Sequence, residues 1–140
     1  MIASPDALAE LFAQRVMTLA SRAVRARGRF SLPVPGGSTA RVFLPVLGAA
    51  DIAWEHVDLF WCDERAVPAD HPDSNFALAR EVLAETPAGA RIRMHRMPVD
   101  RGDLDVAAGD YARVLEDVAG IPPSIDLVLL CVGGEGHVCS

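Results

Sequence analysis

The sequence contains no lysine, because all 13 of its basic residues are arginine. Any anion-binding site in this chain must therefore use arginine, histidine or backbone N–H groups. A lysine-dependent phosphate loop of the Walker A type is excluded for the same reason. The formal net charge of −6 argues against nucleic acid and against an anionic membrane surface as partners.

Cysteine is scarce, and the three thiols, Cys62, Cys131 and Cys139, form no CxxC pair. Cys62 and Cys131 lie within apolar runs, so we expect them to be small buried residues of a reduced protein. The N-terminus has no basic segment before an apolar run, which predicts no signal peptide. No apolar stretch approaches membrane-spanning length, so we expect a cytoplasmic protein without a membrane partner.

Helical and strand patterns alternate along the chain. Ser4-Pro5-Asp6 is a typical helix start, and Gly28 is a helix stop. Further helices are predicted from the loop 35–39 to about Leu47, over 75–83 and over 103–118. Strands are predicted at 30–34, 57–62 and 125–132, with a weak one at 91–94. The run 125–132 is the most apolar of the chain and is expected to be a buried central strand.

This alternation predicts an α/β fold with three layers, α/β/α, around a mostly parallel, Rossmann-like sheet. Residues 1–140 have no linker or repeat and are expected to form a single domain. Three polar loops follow three of the predicted strands. Because ligands bind at the carboxyl ends of strands in such sheets, these loops are expected to line one crevice.

The first loop is Gly36-Gly37-Ser38-Thr39, which opens a helix. Glycines allow close approach of a ligand, and a helix N-terminus presents free N–H groups, so the loop could bind phosphate. A tight turn in which Ser38 or Thr39 only caps the helix explains the pattern equally well.

The second loop begins with Asp63-Glu64-Arg65, directly after a strand. Such a triplet is usually a solvated loop, but at this position Arg65 could grip a phosphate through two hydrogen bonds. Further along this loop, Asp73 or Ser74 could cap the helix that follows.

The third loop, Gly133-Gly134-Glu135-Gly136-His137, does not match the dinucleotide-binding pattern. A histidine beside an acid after a buried strand is a candidate general acid/base, although a surface histidine in a glycine turn is the more common meaning of such a motif. His137 and Cys139 could also contribute to a zinc site with His71, Cys62 or Cys131, but no HExxH or CxxC pattern supports it.

Taken together, the three loops resemble those of the 6-phosphogluconolactonase family, which is related to the glucosamine-6-phosphate deaminases. The matching stretches are 36–39 (GGST), 60–75 (FWCDERAVPADHPDSN) and 126–140 (DLVLLCVGGEGHVCS). Deaminases typically have Asp-Glu-Tyr in the second motif and Ser-Tyr where this chain has Ser74-Asn75. Arg65 and Asp73-Ser74-Asn75 place the chain on the lactonase side.

The chain departs from the family pattern at several positions. Pro35 replaces a small residue, Cys131 replaces a glycine, and Glu135 replaces the aspartate before Gly-His. Family members also continue well beyond Ser140, so we expect this chain to be the front part of the fold, without the later strands and basic residues. The run 125–132 would then have a bare edge, and we expect residues 1–140 alone to be poorly stable and nearly inactive.

The resemblance implies hydrolysis of 6-phospho-D-glucono-1,5-lactone to 6-phosphogluconate, in the pentose phosphate pathway, without a cofactor or metal. His137 would be the general acid/base, and Glu135 would orient it or the attacking water. The phosphate or substrate would be bound by Arg65 and by the loop of Gly36, Gly37, Ser38 and Thr39. Supporting roles are expected for Asp63, Glu64 and Asn75. The alternatives are a glucosamine-6-phosphate isomerase/deaminase and a non-catalytic sugar-phosphate-binding protein.

Overall fold

The computed structural model describes residues 4–139, which form four α-helices and three β-strands. In chain order the elements are α1 (Pro5–Arg27), β1 (Phe30–Val34), α2 (Gly37–Gly48), β2 (Val57–Trp61), α3 (Asn75–Leu83), β3 (Arg93–Met94) and α4 (Leu104–Ala119). Two single turns of 3₁₀-helix, Trp54–His56 and Val99–Arg101, precede β2 and α4.

Side chains that the sequence offers as caps set the starts of three helices. The Ser4 hydroxyl accepts from a first-turn N–H of α1, Ser74 does the same for α3, and the Asp103 carboxylate does so for α4. Gly28 ends α1 with a φ of 75°, which a glycine adopts without steric cost. Helix α2 is different, because its N-cap is Gly36, which has no side chain to offer.

The three strands form one parallel sheet in the order β1-β2-β3. Phe30 pairs with Val57 and Val34 with Trp61, so β1 and β2 are aligned along their whole length. The short β3 adds to the free edge of β2, with Arg93 opposite Asp58. The predicted parallel α/β arrangement is therefore confirmed, and the weak strand signal at 91–94 is a real strand.

Helices cover both faces of the sheet. On one face, α1, α2 and α3 share a single core with alternate residues of β1 and β2; its strand members are Phe30, Leu32, Val34, Val57, Leu59 and Trp61. On the other face, Phe60 of β2 packs edge-on against Tyr111 of α4, with ring centroids 6.4 Å apart. The Tyr111 hydroxyl also accepts a hydrogen bond of 3.0 Å from the backbone N–H of Trp61. These contacts fix α4 to the end of β2 and complete the three layers.

The run 125–132 is not the buried central strand that its apolar composition predicted. It lies parallel to β1, on the edge away from β2, and donates from Leu127 to Ser31 O and from Leu129 to Pro33 O. A parallel ladder needs return bonds from residues 33 and 35, and both are proline. Because proline has no N–H, the return bonds cannot form, and the run remains extended without becoming a regular strand.

A part-buried polar anchor holds this segment to β1. The Asp126 carboxylate accepts from the Ser31 N–H at 2.8 Å and from the Ser31 hydroxyl at 2.9 Å, and it also pairs with Arg27. Beyond this anchor the segment is half-exposed. Val128, Leu130 and Val132 expose 43%, 52% and 71% of their surface, which differs from the predicted burial on both faces.

None of the helices among residues 4–139 combines the length and the hydropathy that a membrane crossing requires.

Candidate active site

One cleft at the carboxyl ends of the strands brings the three polar loops together. Its volume is about 160 Å³. The first loop contributes Pro35, Gly36, Gly37, Ser38 and Thr39, the second contributes Asp63, Arg65 and Asn75, and the third contributes Cys131, His137 and Cys139. Most of the predicted site residues therefore line a single cleft, as the topology of a parallel sheet leads us to expect.

The N-terminus of α2 forms the floor of this cleft on the side of the first loop. Ser38 and Thr39 lie inside the first turn of α2, so neither is the cap that the turn interpretation predicted. Gly36 has no capping side chain, and the first turn contains no acidic residue. The first N–H groups of α2 are thus left without a side-chain acceptor, and the positive end of the helix dipole faces the cleft.

Glu64 lies below the cleft and ties the second loop to α3. Its Oε1 accepts from the backbone N–H of Arg65 at 2.8 Å and of Asn75 at 2.7 Å. Its Oε2 accepts from the Phe76 N–H at 2.9 Å and the Ser74 hydroxyl at 3.2 Å. These four bonds occupy both carboxylate oxygens. The negative charge of Glu64 lies at the N-terminus of α3, where the helix dipole stabilises an anion.

Asn75 joins the second loop to the first. Its side-chain amide donates to the Asp63 backbone oxygen at 3.1 Å and to Asp63 Oδ1 at 3.0 Å. The same side chain lies on Gly36, where a Cβ would come within 1.7 Å of Asn75 Oδ1. Position 36 therefore has to be glycine for the two loops to meet at this distance.

His137 is presented by a short hairpin. Val132 and Val138 form an antiparallel bridge, and the Gly133 N–H donates to His137 O at 2.8 Å. The turn between them includes Gly136, which has a φ of 85°. The imidazole lies over Gly133, its partner across the hairpin, and is exposed toward the cleft.

The structure does not bring Glu135 into the cleft. Glu135 lies at the exposed tip of the hairpin and is not part of the cleft wall. Among residues 4–139, no side-chain hydrogen bond joins it to His137. Adjacency in sequence suggested a partnership, and that partnership stays a prediction.

Arg41 is a neighbour of the site that the sequence did not single out. A second hollow of about 160 Å³ adjoins the cleft and shares Gly37, Arg65 and Asn75 with it. Arg41, one turn into α2, lines this hollow. Its only ion pair among the described residues is a 3.9 Å contact with the exposed Glu81. Arg41 follows the glycine loop by one helical turn, and this spacing is the sequence feature that could have indicated its place beside the site.

Cys131 and Cys139 line the cleft, and all three cysteines are half-exposed, which corrects the expectation that Cys62 and Cys131 are buried. Burial and the neighbouring thiols of Cys139 and Cys131 raise the pKa of Cys62 to about 12. The Cys62 thiol donates to Leu129 O at 3.5 Å. In the described part of the chain, no three His, Cys, Asp or Glu side chains are arranged to hold a metal ion.

Comparison with known proteins identifies the family. Residues 3–140 match the family described as glucosamine-6-phosphate isomerases/6-phosphogluconolactonase, and the chain belongs to that family. It is 31% identical over 129 residues to the 6-phosphogluconolactonase of Nostoc sp., covering 89% of this chain and 54% of the relative. The 6-phosphogluconolactonase of Mycobacterium tuberculosis is 36% identical over 144 residues, covering 96% of this chain and 58% of the relative.

The fold is likewise shared with a solved structure. The crystal structure of a 6-phosphogluconolactonase from Shewanella baltica superimposes with a TM-score of 0.87 and 32% identity, covering 99% of this chain and 58% of the other. The chain thus spans little more than half the length of the relatives that it matches.

Proposed function

We propose that this chain carries the catalytic cleft of a hydrolase that converts 6-phospho-D-glucono-1,5-lactone to 6-phospho-D-gluconate. The observation that carries the proposal is the convergence of His137, Arg65 and the N-terminus of α2 on one cleft. The relatives named 6-phosphogluconolactonase support the choice of substrate. We propose that residues 1–140 belong to one domain, because a single core joins α1, α2 and α3 to the sheet.

The phosphate of the substrate is held by the first and second loops. The N–H groups of Gly37, Ser38 and Thr39 begin α2 without a side-chain cap, which suits a dianionic phosphate. Arg65 supplies a permanent positive charge and can donate two parallel hydrogen bonds to phosphate oxygens. No lysine is available to replace it in this chain.

His137 performs the proton transfers at the lactone carbonyl. Its imidazole takes a proton from water, the water oxygen attacks the carbonyl carbon, and a tetrahedral oxyanion forms. The protonated imidazole then returns the proton to the ring oxygen as the carbon–oxygen bond breaks. The product is an open-chain acid with a free hydroxyl, so the reaction needs no redox partner.

Asp63, Glu64 and Asn75 act as positioning residues in this scheme. Their hydrogen bonds hold the second loop against α3 and Gly36, and so hold Arg65 beside the N-terminus of α2. Glu135 has no role in the scheme, since it lies outside the cleft wall. The three free thiols support the cytoplasm as the place of action, because thiols persist in reducing compartments.

The test is hydrolysis of 6-phosphogluconolactone by the full-length protein, with the spontaneous rate subtracted. We expect His137→Gln to lower kcat by roughly 10²–10⁴-fold. His56→Gln is the matched control, because His56 lies directly before β2, at the amino end of this strand and away from the cleft. Unchanged turnover in the His137 variant contradicts the base assignment. If the wild type does not hydrolyse the lactone but releases ammonia from glucosamine 6-phosphate, the proposed function is wrong and the protein is a deaminase.

A further inference from the structure

Two of the cysteines occupy opposite positions in the hairpin that carries His137. Val132 and Val138 are bridged, and Gly133 pairs with His137 one step toward the turn. One step in the other direction, the same antiparallel register places Cys131 opposite Cys139. Residues opposite each other in such a ladder have Cα atoms about 4.5–5.5 Å apart and side chains on the same face.

A second observation is that both thiols face the same cleft. Cys131 and Cys139 both line the same cleft, beside His137. Both are half-exposed, so a small reagent can reach them. The φ of Cys139 is 60°, so the extended part of the hairpin ends at this residue. The placement of the two thiols as neighbours therefore rests on both the register and the cleft that they share.

We propose that Cys131 and Cys139 form a redox-active dithiol, which closes into a disulfide across the base of the hairpin that presents His137. A disulfide needs Cα atoms about 4.4–6.8 Å apart, and opposite residues of an antiparallel pair fall inside that range. The crosslink joins the two arms of the hairpin on the side away from its glycine turn. It leaves the histidine inside a closed loop of the chain.

Oxidation by a low-molecular-weight disulfide, such as oxidised glutathione, closes the pair in two exchanges. One protein thiolate attacks a sulfur of the reagent, whose disulfide bond breaks, and one glutathione leaves as a thiol. The second protein thiolate then attacks the sulfur of the mixed disulfide, and the second glutathione leaves. The two protein thiols lose two electrons and two protons in total, and the reagent gains them.

Cys62 is the competing thiol, because its side chain is hydrogen-bonded to that of Cys139. Its pKa is raised to about 12 by burial and by the adjacent thiols, so it stays protonated near neutral pH and is a poor nucleophile. Its thiol hydrogen is also engaged with Leu129 O. A disulfide between Cys62 and Cys139 is therefore the alternative that the experiment has to distinguish.

The arginine positions allow one digestion to separate the possible pairings. Between Arg41 and Arg65 there is no other arginine, so trypsin releases Cys62 in the peptide 42–65. After Arg113 the sequence contains neither arginine nor lysine, so Cys131 and Cys139 lie in one peptide that begins at Val114. A disulfide between Cys131 and Cys139 stays within that peptide, whereas a disulfide to Cys62 joins two peptides.

The experiment treats the native full-length protein with oxidised glutathione, blocks free thiols with N-ethylmaleimide, digests and measures peptide masses. In the wild type and in Cys62→Ser, we expect the Val114 peptide to carry no N-ethylmaleimide at either cysteine and to be two hydrogens lighter than its reduced form. Treatment with dithiothreitol should restore the mass of the reduced peptide. In Cys131→Ser, the mixed disulfide with glutathione should persist on Cys139, because the remaining neighbour, Cys62, is a poor nucleophile.

Three results overturn the proposal: a covalent pair of the 42–65 and Val114 peptides, a persistent mixed disulfide in the wild type, or full blocking of both cysteines. The wild-type digest alone decides between the pairings even where a serine variant fails to fold. Because the readout is the state of the thiols, the outcome does not depend on lactone hydrolysis, and failure of the proposed function leaves it readable.

Discussion

The imidazole of His137 lies directly on the backbone of Gly133, so that a Cβ on residue 133 would come within 2.2 Å of ring atom Cε1 and 2.4 Å of Nε2. The two residues are partners across the hairpin, and the glycine leaves the space that the ring occupies. The position of the candidate base is therefore set by the absence of a side chain on the facing arm.

Gly133→Ala should displace the His137 ring with little effect on stability. The ring is the end of a mobile side chain, so it can rotate away, and we expect the free energy of unfolding to change by less than about 1 kcal/mol. A displacement of about 1 Å can lower turnover by up to roughly 100-fold, so kcat should fall by at least about tenfold. Steady-state kinetics and urea unfolding measure the two effects.

Gly134→Ala is the matched control for that substitution. A Cβ at residue 134 meets nothing within 4 Å, and Gly134 is not among the glycines with positive φ. Both kcat and stability should stay near the wild-type values. Equal kcat values for the two alanine variants would show that the position of the His137 ring does not matter for turnover.

Arg65→Gln should weaken substrate binding more than it slows the chemical step. A charge-assisted hydrogen bond contributes about 1.5–3 kcal/mol, so we expect KM to rise by roughly 10–100-fold, with a smaller change in kcat. Arg113→Gln removes the same charge from the exposed face of α4, where Arg113 pairs with Asp110. A similar rise in KM for both variants would mean that net charge, and not Arg65 itself, attracts the substrate.

Local signals in the sequence were sufficient for both ends of α1 and for the start of α3. Ser4, Gly28 and Ser74 act through their own neighbouring backbone groups, so caps can be read without knowledge of the fold. The meeting of the loops followed from a topological rule, since the carboxyl ends of parallel strands share one edge. Neither inference required any long-range distance.

The errors arose where the result depends on register between distant segments. Pro33 and Pro35 are visible in the sequence, but only the pairing of β1 shows that they face the run 125–132 and remove its return hydrogen bonds. The position of Glu135, at the exposed tip and away from the cleft wall, likewise depends on the turn geometry of the hairpin. Arg41 joins the site only because α2 and the second loop pack side by side.

Glu64→Gln should destabilise the protein and loosen the second loop. The carboxylate accepts four hydrogen bonds, two at each oxygen, and a glutamine would place an NH₂ group against donors at one of them. We expect a loss of about 1–3 kcal/mol in the free energy of unfolding. Glu85→Gln, at an exposed position beyond α3, is the control and should change stability by less than about 0.5 kcal/mol. Equal urea midpoints for the two variants would contradict the structural role of Glu64.

Asp58 is a buried acid on β2 that no sequence motif singled out, and it joins β2 to the chain around β3. Its side chain is 3% exposed and accepts from Arg93 Nε and Nη2 at 2.8 Å each. The Asp58 carboxylate also lies 2.7 Å from His95 Nε2. Burial by itself would raise the pKa of Asp58, but the hydrogen bonds and charges of Arg93 and His95 outweigh it and hold the pKa below its usual value of 3.8.

Asp58→Asn should therefore cost stability in a pH-dependent way. Near pH 7 we expect a loss of about 2–4 kcal/mol, because the charged acceptor that holds Arg93 and His95 at this buried position is removed. A carboxyl group whose pKa is lowered on folding stabilises the protein above its unfolded pKa and loses this contribution as pH falls through the folded pKa. The difference between wild type and Asp58→Asn should thus be full above about pH 5 and shrink below about pH 4. Urea unfolding across this range measures it, with Asp70→Asn, at an exposed loop position, as the control. A difference that stays constant down to about pH 3 would mean that packing, and not the ionised carboxylate, accounts for the loss.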